Sequence, residues 1–341
     1  MSTRTPAAIE IRDLVKTFGR TTALHGVDLA VPRGSVVGVI GPNGAGKSTT
    51  MRVLLDIIRP SSGDVRVLGE DPRRGGPHLR RRIGYLPGEF VLGDRVTARR
   101  LLTHFCRLAA PHAVRRIDPM AERLGLDPDR PIRSLSKGNK QKVGLVQAFI
   151  HHPELLILDE PTSGLDPILQ REFLAMVHEA QAAGTTVFLS SHVLSEVESV
   201  AQTAAVLRSG RVVAEAPVAE LRTRAGHELT ARLAHVSAER VGASAARHIP
   251  DAVLDLEPVE DGRLLLRGRV PGEHEAAEVL AFLREFTVED FTFRPRNLES
   301  AVLELYADGD SEDGSDGGSA GDSVDGTCSD RESPRCTTVV P

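Results

Sequence analysis

The sequence contains no apolar run long enough to cross a membrane. Its longest apolar stretches, such as Ser35–Ile40 and Leu155–Leu158, are far shorter than the roughly 20 residues that a membrane-spanning helix needs. The N-terminal segment Met1–Glu10 also lacks the apolar region of a secretory signal. These two absences exclude a helical membrane protein and argue against secretion.

Cysteine is scarce, and the charges of the main body nearly cancel. The three cysteines, Cys106, Cys328 and Cys336, show no C-x-x-C spacing and predict no disulfide framework, which fits a reducing cytosol. The net charge of −5 arises from Ala307–Pro341, which holds nine acidic and two basic residues. Met1–Tyr306 keeps 40 basic and 38 acidic residues, so bulk electrostatics give no reason to expect a nucleic-acid partner.

The pattern of apolar residues divides the chain into three zones. A length of 341 residues, 40% of them hydrophobic, gives room for one large domain and a smaller one. In residues 1–217, short strand-like stretches alternate with helical ones, which predicts an α/β fold with a mostly parallel sheet. The strands are predicted at Ile9–Phe18, Thr22–Val31, Ser35–Ile40, Leu155–Leu158 and Thr186–Leu189, and a helix at Lys47–Arg59.

The second zone, residues 218–306, predicts a small α+β domain. Its pattern reads β-α-β-β-α-β, the order of the ferredoxin-like split βαβ arrangement. Strands are expected at His227–Leu233, Ala252–Leu256, Arg263–Val270 and Thr287–Phe293, with helices at Ser237–Arg247, Glu273–Phe286 and Asn297–Tyr306. The third zone, residues 307–341, has six glycines, six serines and few apolar residues. It is expected to be a disordered acidic tail, because it cannot offset its ordering entropy.

A glycine-rich segment in the first zone predicts a phosphate-binding loop. It satisfies G-x-x-x-x-G-K-[ST] and lies between an apolar strand and an amphipathic helix, where backbone amides and the helix N-terminus can bind phosphates. Lys47 would neutralise phosphate charge, and the Ser48 hydroxyl would ligate Mg²⁺. A glycine-rich turn that matches by chance is the alternative. The predicted ATP-binding residues of this loop are Gly41, Pro42, Asn43, Gly44, Ala45, Gly46, Lys47, Ser48 and Thr49.

Two adjacent carboxylates follow the apolar strand Leu155–Leu158. A buried parallel strand presents its C-terminal residues at the ligand edge of the sheet, so Asp159 can reach the Mg²⁺ shell. Neighbouring strand-end residues point in different directions, which leaves Glu160 free to polarise an attacking water. The alternative is a strand that simply ends in polar residues. The phosphate loop in the same domain favours the catalytic interpretation over this alternative.

In their order, these segments resemble the ATP-binding cassette (ABC) family over about Ile9–Pro217. Phe18 stands where an aromatic side chain stacks on adenine in that family. Leu135–Gln141, which reads Leu-Ser-Lys-Gly-Asn-Lys-Gln, is similar to the family's signature sequence. Ser163–Pro167 matches the loop after the catalytic glutamate, and His192 matches the switch histidine.

The resemblance implies a P-loop NTPase fold with an antiparallel β subdomain and a helical subdomain at about 88–150, binding ATP and Mg²⁺. Glu160 and His192 would be catalytic, with His192 positioning the γ-phosphate and the attacking water, and Ser48 and Asp159 would hold the metal. A second cassette subunit, expected to be an identical copy, would complete each site in trans through Ser136, Gly138, Asn139 and Asp166.

The resemblance also implies a partner and a location. The partner would be an integral membrane permease, which places the chain in the cytoplasm, peripheral on the inner face of the cell membrane. The second zone, ending in Pro295–Glu299, looks like the accessory domain of drug- and antibiotic-exporter ATPases and therefore favours export.

Several residues keep a second interpretation. Taken in isolation, Ser136 would be an ordinary helix cap, and His192 would be a structural residue. The other eleven histidines show no metal-ligand spacing and are expected at the surface. A cluster of five arginines between residues 73 and 82 fits a solvated face better than a lipid or permease contact. The stripe Leu101, Phe105 and Leu108 fits core packing as well as the permease contact that the family makes in this segment. The cluster consists of Arg73, Arg74, Arg80, Arg81 and Arg82.

Two positions depart from the family pattern. The family usually has glutamine after Tyr85-Leu86-Pro87, where this chain has Gly88 followed by Glu89. The usual Gly-Gly-Gln of the signature is Lys-Gly-Asn at 137–139. Both departures are expected to affect how ATP binding is relayed to the permease, and turnover is still expected.

A transport ATPase is the leading hypothesis. A cassette acting on ribosomes or DNA is a rival, but the sequence has neither a second phosphate loop nor sustained heptads. A regulatory cassette with weak turnover is the other alternative; Gly88 favours it, whereas Glu160 and His192 argue against it.

Overall fold

A computed structural model describes residues 7–89, 96–259, 262–272, 274, 276–296 and 299. Contacts divide the chain into two compact units, Met1–Val218 and Ala219–Pro341. In the described part of the chain, no helix combines the length and the apolar character that a bilayer crossing requires.

The first unit contains a six-stranded sheet and a three-stranded sheet. Its strands are β1 (Ala7–Phe18), β2 (Thr21–Pro32), β3 (Val36–Ile40), β4 (Ser62–Val67), β5 (Ile83–Leu86), β6 (Leu155–Asp159), β7 (Thr186–Ser191), β8 (Thr203–Arg208) and β9 (Arg211–Pro217). The larger sheet has the order β5-β6-β7-β3-β8-β9 and is parallel except for the edge strand β9. The smaller sheet, β2-β1-β4, is antiparallel.

The central strands of the larger sheet are buried along their whole length. Every residue of β3, β6 and β7 is buried, which explains why the apolar residues of these strands follow one another instead of alternating with polar ones. Because these strands are parallel, their carboxyl ends all meet at one edge. The predicted mostly parallel α/β fold is confirmed.

Helices flank this sheet and connect its strands. They are α1 (Lys47–Leu54), α2 (Pro72–Arg81), α3 (Ala98–Ala109), α4 (Ile117–Arg123), α5 (Lys137–Phe149), α6 (Pro167–Ala182) and α7 (Leu194–Val200). The prediction that the first helix continues to Arg59 is wrong. Asp56 adopts a left-handed conformation with φ of 53°, and the amides of Ile57 and Ile58 both turn back to the carbonyl of Arg52, so the helix closes there.

The helical segment between Gly88 and Ile150 contains α3, α4, α5 and two short 3₁₀ turns, Pro111–Arg116 and Ile132–Ser134. Core packing does not account for the stripe Leu101, Phe105 and Leu108. The buried face of α3 is instead Ala98, Leu102 and Cys106, while Leu101 and Phe105 are half-buried and Leu108 is exposed.

The second unit has the predicted β-α-β-β-α-β order. After α8 (Val218–Ala225) come β10 (His227–Ala234), α9 (Ala238–His248), β11 (Val253–Val259), β12 (Arg263–Val270), α10 (Ala276–Leu283) and β13 (Thr287–Pro295). The antiparallel sheet order β11-β12-β10-β13 is that of the split βαβ motif. Leucines of its strands pack with Val241 and Phe282 of the helices in one apolar core. The predicted helix at Asn297–Tyr306, apart from Glu299, and the predicted tail fall outside the described residues.

Candidate nucleotide-binding site

The phosphate loop lies between β3 and α1 and is held by tight backbone contacts. Gly46 caps α1 with φ of 107°, and a β-carbon on it would lie 2.6 Å from a methyl carbon of Leu24. Only glycine fits this conformation and this space. The loop therefore turns sharply into the helix, whose N-terminal amides suit an anion.

Lys47 points back into this loop. Its Nζ donates hydrogen bonds to the carbonyls of Gly41 (2.6 Å) and Pro42 (3.2 Å), and the residue is only 7% exposed. The same ammonium lies 3.9 Å from Oε1 of Glu160. The loop thus carries a buried positive charge that faces the glutamate.

The ends of β6 and β7 are joined by a serine. Ser190 Oγ donates to Asp159 Oδ1 (2.7 Å) and accepts from the Glu160 amide (3.1 Å). Both serine and aspartate are buried. This bridge fixes the aspartate side chain and the glutamate backbone relative to one another.

Glu160 and His192 meet directly above that bridge. Glu160 has a positive φ of 47°, a conformation that costs energy for a side-chain-bearing residue and often marks a functional site. Its Oε2 accepts from the His192 amide (3.3 Å) and contacts ring Nδ1 of the same histidine. The strained backbone thus turns the carboxylate toward the histidine.

A cavity of about 570 Å³ collects these groups. Its lining combines loop, strand-end and helical-segment residues: Asn43, Ser48, Arg52, Gly88, Glu89, Lys137, Asp159, Glu160, Ser163 and His192. The predicted metal ligands Ser48 and Asp159 and the predicted catalytic pair Glu160 and His192 therefore lie in one place.

The donor set of this cavity fits Mg²⁺. Asp159 uses one carboxylate oxygen for Ser190, while its Oδ2 lies 3.4 Å from where a β-carbon on Gly88 would be. Within the described ranges, no group of three His, Cys, Asp or Glu side chains could hold a metal. Mg²⁺ matches such a site, because it binds through few protein oxygens together with phosphates and water.

The signature residues lie at the start of α5. Ser136 caps the helix, its hydroxyl accepting from the Asn139 amide (3.2 Å). A β-carbon on Gly138 would lie 2.7 Å from the Gly164 carbonyl, so the signature packs closely on the loop after β6. Asp166 caps α6 by accepting from the amides of residues 168 and 169.

Phe18 lies at the end of β1 and is 49% exposed. Lys16 Nζ is 4.7 Å from the ring centre. The partner strand β2 supplies Ala23 and Leu24, which pack against Gly46 of the phosphate loop. The aromatic ring is therefore carried by the hairpin that supports the loop.

Sequence reasoning missed several residues that brace the site. Gln141 donates from Nε2 to the carbonyl of Pro161 (2.9 Å), and Ser190 forms the bridge described above. Both stand inside recognisable motifs, but their partners are 20 to 31 residues away, so no local pattern shows the contact.

A separate apolar groove of about 510 Å³ lies between α3 and the strand β5. Ile57, Phe105 and Leu108 contribute to its walls, together with Tyr85 and His151. Burial and the nearby Asp159 charge raise the pKa of Tyr85. The expectation that every histidine except His192 is a surface residue is wrong for His151, which is half-buried with its Nε2 shielded from solvent; this burial lowers its pKa.

The strand–loop–helix, the carboxylate pair at the sheet edge and the cavity between them define a P-loop NTPase of the cassette type. The family profile "ABC transporter" matches residues 24–163. The chain is 36% identical over 316 residues to the daunorubicin/doxorubicin resistance ATP-binding protein DrrA of Streptomyces peucetius, covering 89% of this chain and 94% of DrrA. The protein belongs to the ABC transporter ATP-binding family and is an ATPase of that family.

Other comparisons agree on the cassette. The bacitracin transport ATP-binding protein BcrA of Bacillus licheniformis is 36% identical over 222 residues, which are 63% of this chain and 72% of BcrA. A solved structure of an ATP-binding subunit of an ABC transporter matches with a TM-score of 0.60 at 32% identity, over 63% of this chain and 92% of that one. The dimeric structure of the cassette MJ0796 shares the fold at 21% identity, with a TM-score of 0.56 over 61% of this chain and 98% of that one.

Proposed function

We propose that this chain hydrolyses MgATP as one half of a cassette dimer and drives an export permease. The observation that carries the proposal is the convergence of Asp159, Glu160 and His192 on one cavity, with the Lys47 ammonium 3.9 Å from Glu160 Oε1. Buried charges of both signs are costly unless they serve one another or a ligand.

The phosphate end of the nucleotide would be bound by the loop. Lys47 and the amides of residues 43–49 bind the phosphates, because a buried ammonium and a helix N-terminus both favour anions. Ser48 and Asp159 would hold Mg²⁺, which neutralises phosphate charge when bound. Phe18 offers an exposed ring face on which adenine can stack.

Hydrolysis needs a base and a group that positions the nucleophile. Glu160 is half-buried, oriented by its strained backbone and within reach of the loop, so it is the group that polarises water. His192 contacts the glutamate carboxylate and would orient the γ-phosphate and the water rather than form a bond.

A second copy would complete each site. The start of α5 and the start of α6 bring two helix N-termini to the loop after β6, and helix N-termini suit an anion presented by a partner. The residues concerned are Ser136, Gly138, Asn139 and Asp166. This arrangement makes a closed homodimer the hydrolytic form.

The apolar groove beside α3 is the proposed contact for the permease. Ile57 and Leu108 are exposed large apolar residues at this groove, and exposed apolar patches mark interaction sites. The chain would thus act in the cytoplasm on the inner face of the membrane. The names of DrrA and BcrA, a drug-resistance and an antibiotic-transport protein, support export.

One experiment tests both parts. The adjacent reading frames are searched for a multi-spanning membrane protein, and the full chain is co-expressed with it as wild type and as Leu108→Glu. The variant should lose co-purification while its own MgATP hydrolysis stays within about twofold, because a charge in an apolar contact costs binding. Val213→Glu, at an exposed valine of β9, is the matched control. Retained co-purification of Leu108→Glu would rule out the groove, and absent hydrolysis would rule out the ATPase.

A regulatory cassette with weak turnover is the second candidate, because Gly88 places no side chain beside Asp159. Turnover of the isolated chain that permease does not stimulate would favour it.

A further inference from the structure

A buried carboxylate behind the candidate site has no role in the proposed function. Among the described residues, the charged side chains that are buried are Lys47, Asp159 and Glu196. The first two line or face the nucleotide cavity. Glu196 lies on α7 and is 6% exposed. Burying a carboxylate is unfavourable, so its position calls for a reason.

Glu196 is tied to the strand that carries the switch histidine. Its Oε2 accepts a hydrogen bond from Ser191 Oγ (2.8 Å). The Ser191 Oγ in turn accepts a hydrogen bond from the amide of Val193 (2.9 Å). Ser191 is completely buried. The other oxygen, Oε1, has no hydrogen-bond partner within the described residues, so the bond from Ser191 is what anchors this carboxylate.

The residue enclosed by these bonds is His192. A hydroxyl that joins residues 191 and 193 fixes the backbone of the residue between them. The His192 side chain is 62% exposed, so little packing holds its ring. The direction of the ring therefore depends on the backbone of this turn. The His192 amide itself donates to Glu160 Oε2 (3.3 Å).

We propose that Glu196 is a positioning residue which, through Ser191, fixes the turn of His192 so that the imidazole meets Glu160. The two consecutive serines of β7 divide the task. Ser190 holds the end of β6, and Ser191 holds the histidine turn. The inference rests on the proposed function, in which His192 and Glu160 act on the γ-phosphate and water.

The first test replaces the carboxylate in the full chain. Glu196→Ala should lower kcat of MgATP hydrolysis by about 10- to 100-fold, since small displacements of a catalytic group cost this much. KM for ATP should stay within about threefold, because Glu196 is not among the residues that line the nucleotide cavity. Ser191→Ala removes the same bridge from its other end and should give a similar loss.

Rescue separates the hydrogen bond from the charge. Glu196→Gln keeps an oxygen that accepts from Ser191 and should stay within about threefold of wild type. Ser199→Ala is the matched control and should change nothing, since this exposed serine of α7 bonds the carbonyl of Ser195 within its own helix (2.7 Å). If Glu196→Ala fails to fold, Ser191→Ala and Glu196→Gln still decide the matter.

A double-mutant cycle distinguishes positioning from general stability. In a His192→Ala background, Glu196→Ala should lower the residual kcat by less than about twofold, because the group it positions is gone. Equal losses in both backgrounds would overturn the inference and leave the proposed function intact. Wild-type turnover of His192→Ala alone would overturn the catalytic role of His192, and this inference with it.

Discussion

The two units bury very different interiors. Ten of the eleven polar or charged residues that are buried within the described ranges belong to the first unit, and Ser244 belongs to the second. Ser244 of α9 donates to Glu285 (2.7 Å), which lies in the turn after α10. In the first unit, Asp159 instead bonds the buried Ser190 at one sheet edge, and the buried Lys47 faces Glu160 (3.9 Å).

The difference shows where each unit carries its energetic cost. The second unit is a split βαβ scaffold whose strands and helices pack in one hydrophobic cluster, which is the stable solution for a small domain. The first unit buries charge and keeps a strained glutamate at the carboxyl ends of its parallel strands. Burial of polar groups therefore distinguishes the chemical unit from the accessory one.

The sharpest way to break this comparison is to remove the buried cation. Lys47→Ala should abolish ATP hydrolysis and strongly weaken ATP binding, because the charge that faces the phosphates is lost. Hydrolysis and nucleotide titration of the purified chain measure both. Lys142→Ala is the control: this lysine also donates to a carbonyl, that of Gly125 (3.2 Å), but away from the cavity. Wild-type turnover in Lys47→Ala would mean that the phosphate-loop assignment is wrong.

The second largest effect is expected at the carboxyl end of β6, and a substitution at the other end of the strand serves as its control. Glu160→Gln keeps the shape but loses the base, so hydrolysis should fall by about 10²–10⁴ while nucleotide binding survives. The variant should accumulate as an ATP-bound dimer in size-exclusion light scattering. Glu154→Gln, just before β6 and paired with Arg82 (2.6 Å) at the surface, should leave turnover near wild type. A Glu160→Gln chain that stays monomeric at saturating MgATP would count against closure in trans.

Sequence reasoning reached the elements and the motifs because both are local. The buried strand Leu155–Asp159 is visible as an apolar run, and the phosphate loop as a fixed spacing. The end of α1 was missed, since the left-handed Asp56 also binds Arg80 of α2 (3.2 Å). That ion pair joins residues 24 positions apart, which no local pattern contains.

The bracing of the site was beyond reach for the same reason. Ser190 and Ser191 are adjacent in the chain, yet they hold different partners, Asp159 and Glu196. Which serine serves which carboxylate follows from the pleat of β7 and from the path of the chain after it. Motif spacing names the histidine but leaves open what orients it.

A third prediction perturbs the apolar unit. Phe282→Ala removes a fully buried ring from its core and should lower the free energy of unfolding of this unit by about 3–5 kcal/mol. MgATP hydrolysis at 25 °C should stay within about twofold, because the cavity lies wholly in the first unit. Denaturant unfolding and limited proteolysis read the first effect.

The matched control removes an exposed ring from the same unit. Phe291→Ala removes a ring that is 45% exposed and should cost much less than Phe282→Ala. A loss of ATPase activity in parallel with the unfolding of the second unit would show that the two units are energetically coupled. The contrast between a chemical and a scaffolding unit would then fail.

The smallest effect is expected where the chain departs from its family. Glu89 lines the nucleotide cavity and is exposed, while Gly88 offers no side chain to Asp159. A fixed carboxylate beside the γ-phosphate would repel it, so we expect Glu89 to serve communication with the permease rather than basal chemistry. Glu89→Ala should leave hydrolysis by the isolated chain within about threefold, under roughly 1 kcal/mol of barrier.

Measurements on the permease complex distinguish a communication role of Glu89 from a role as metal ligand. There, Glu89→Ala should reduce the stimulation of hydrolysis by clearly more than threefold, because the link to the membrane partner is lost. Both rates are measured in parallel with Mg²⁺ titrated, and Glu122→Ala, at an exposed glutamate of α4, controls for loss of surface charge. An unchanged Mg²⁺ dependence with selective loss of stimulation fits communication. An equal fall in both rates, with a higher Mg²⁺ requirement, would make Glu89 a metal ligand, since Mg²⁺ readily accepts carboxylate oxygens.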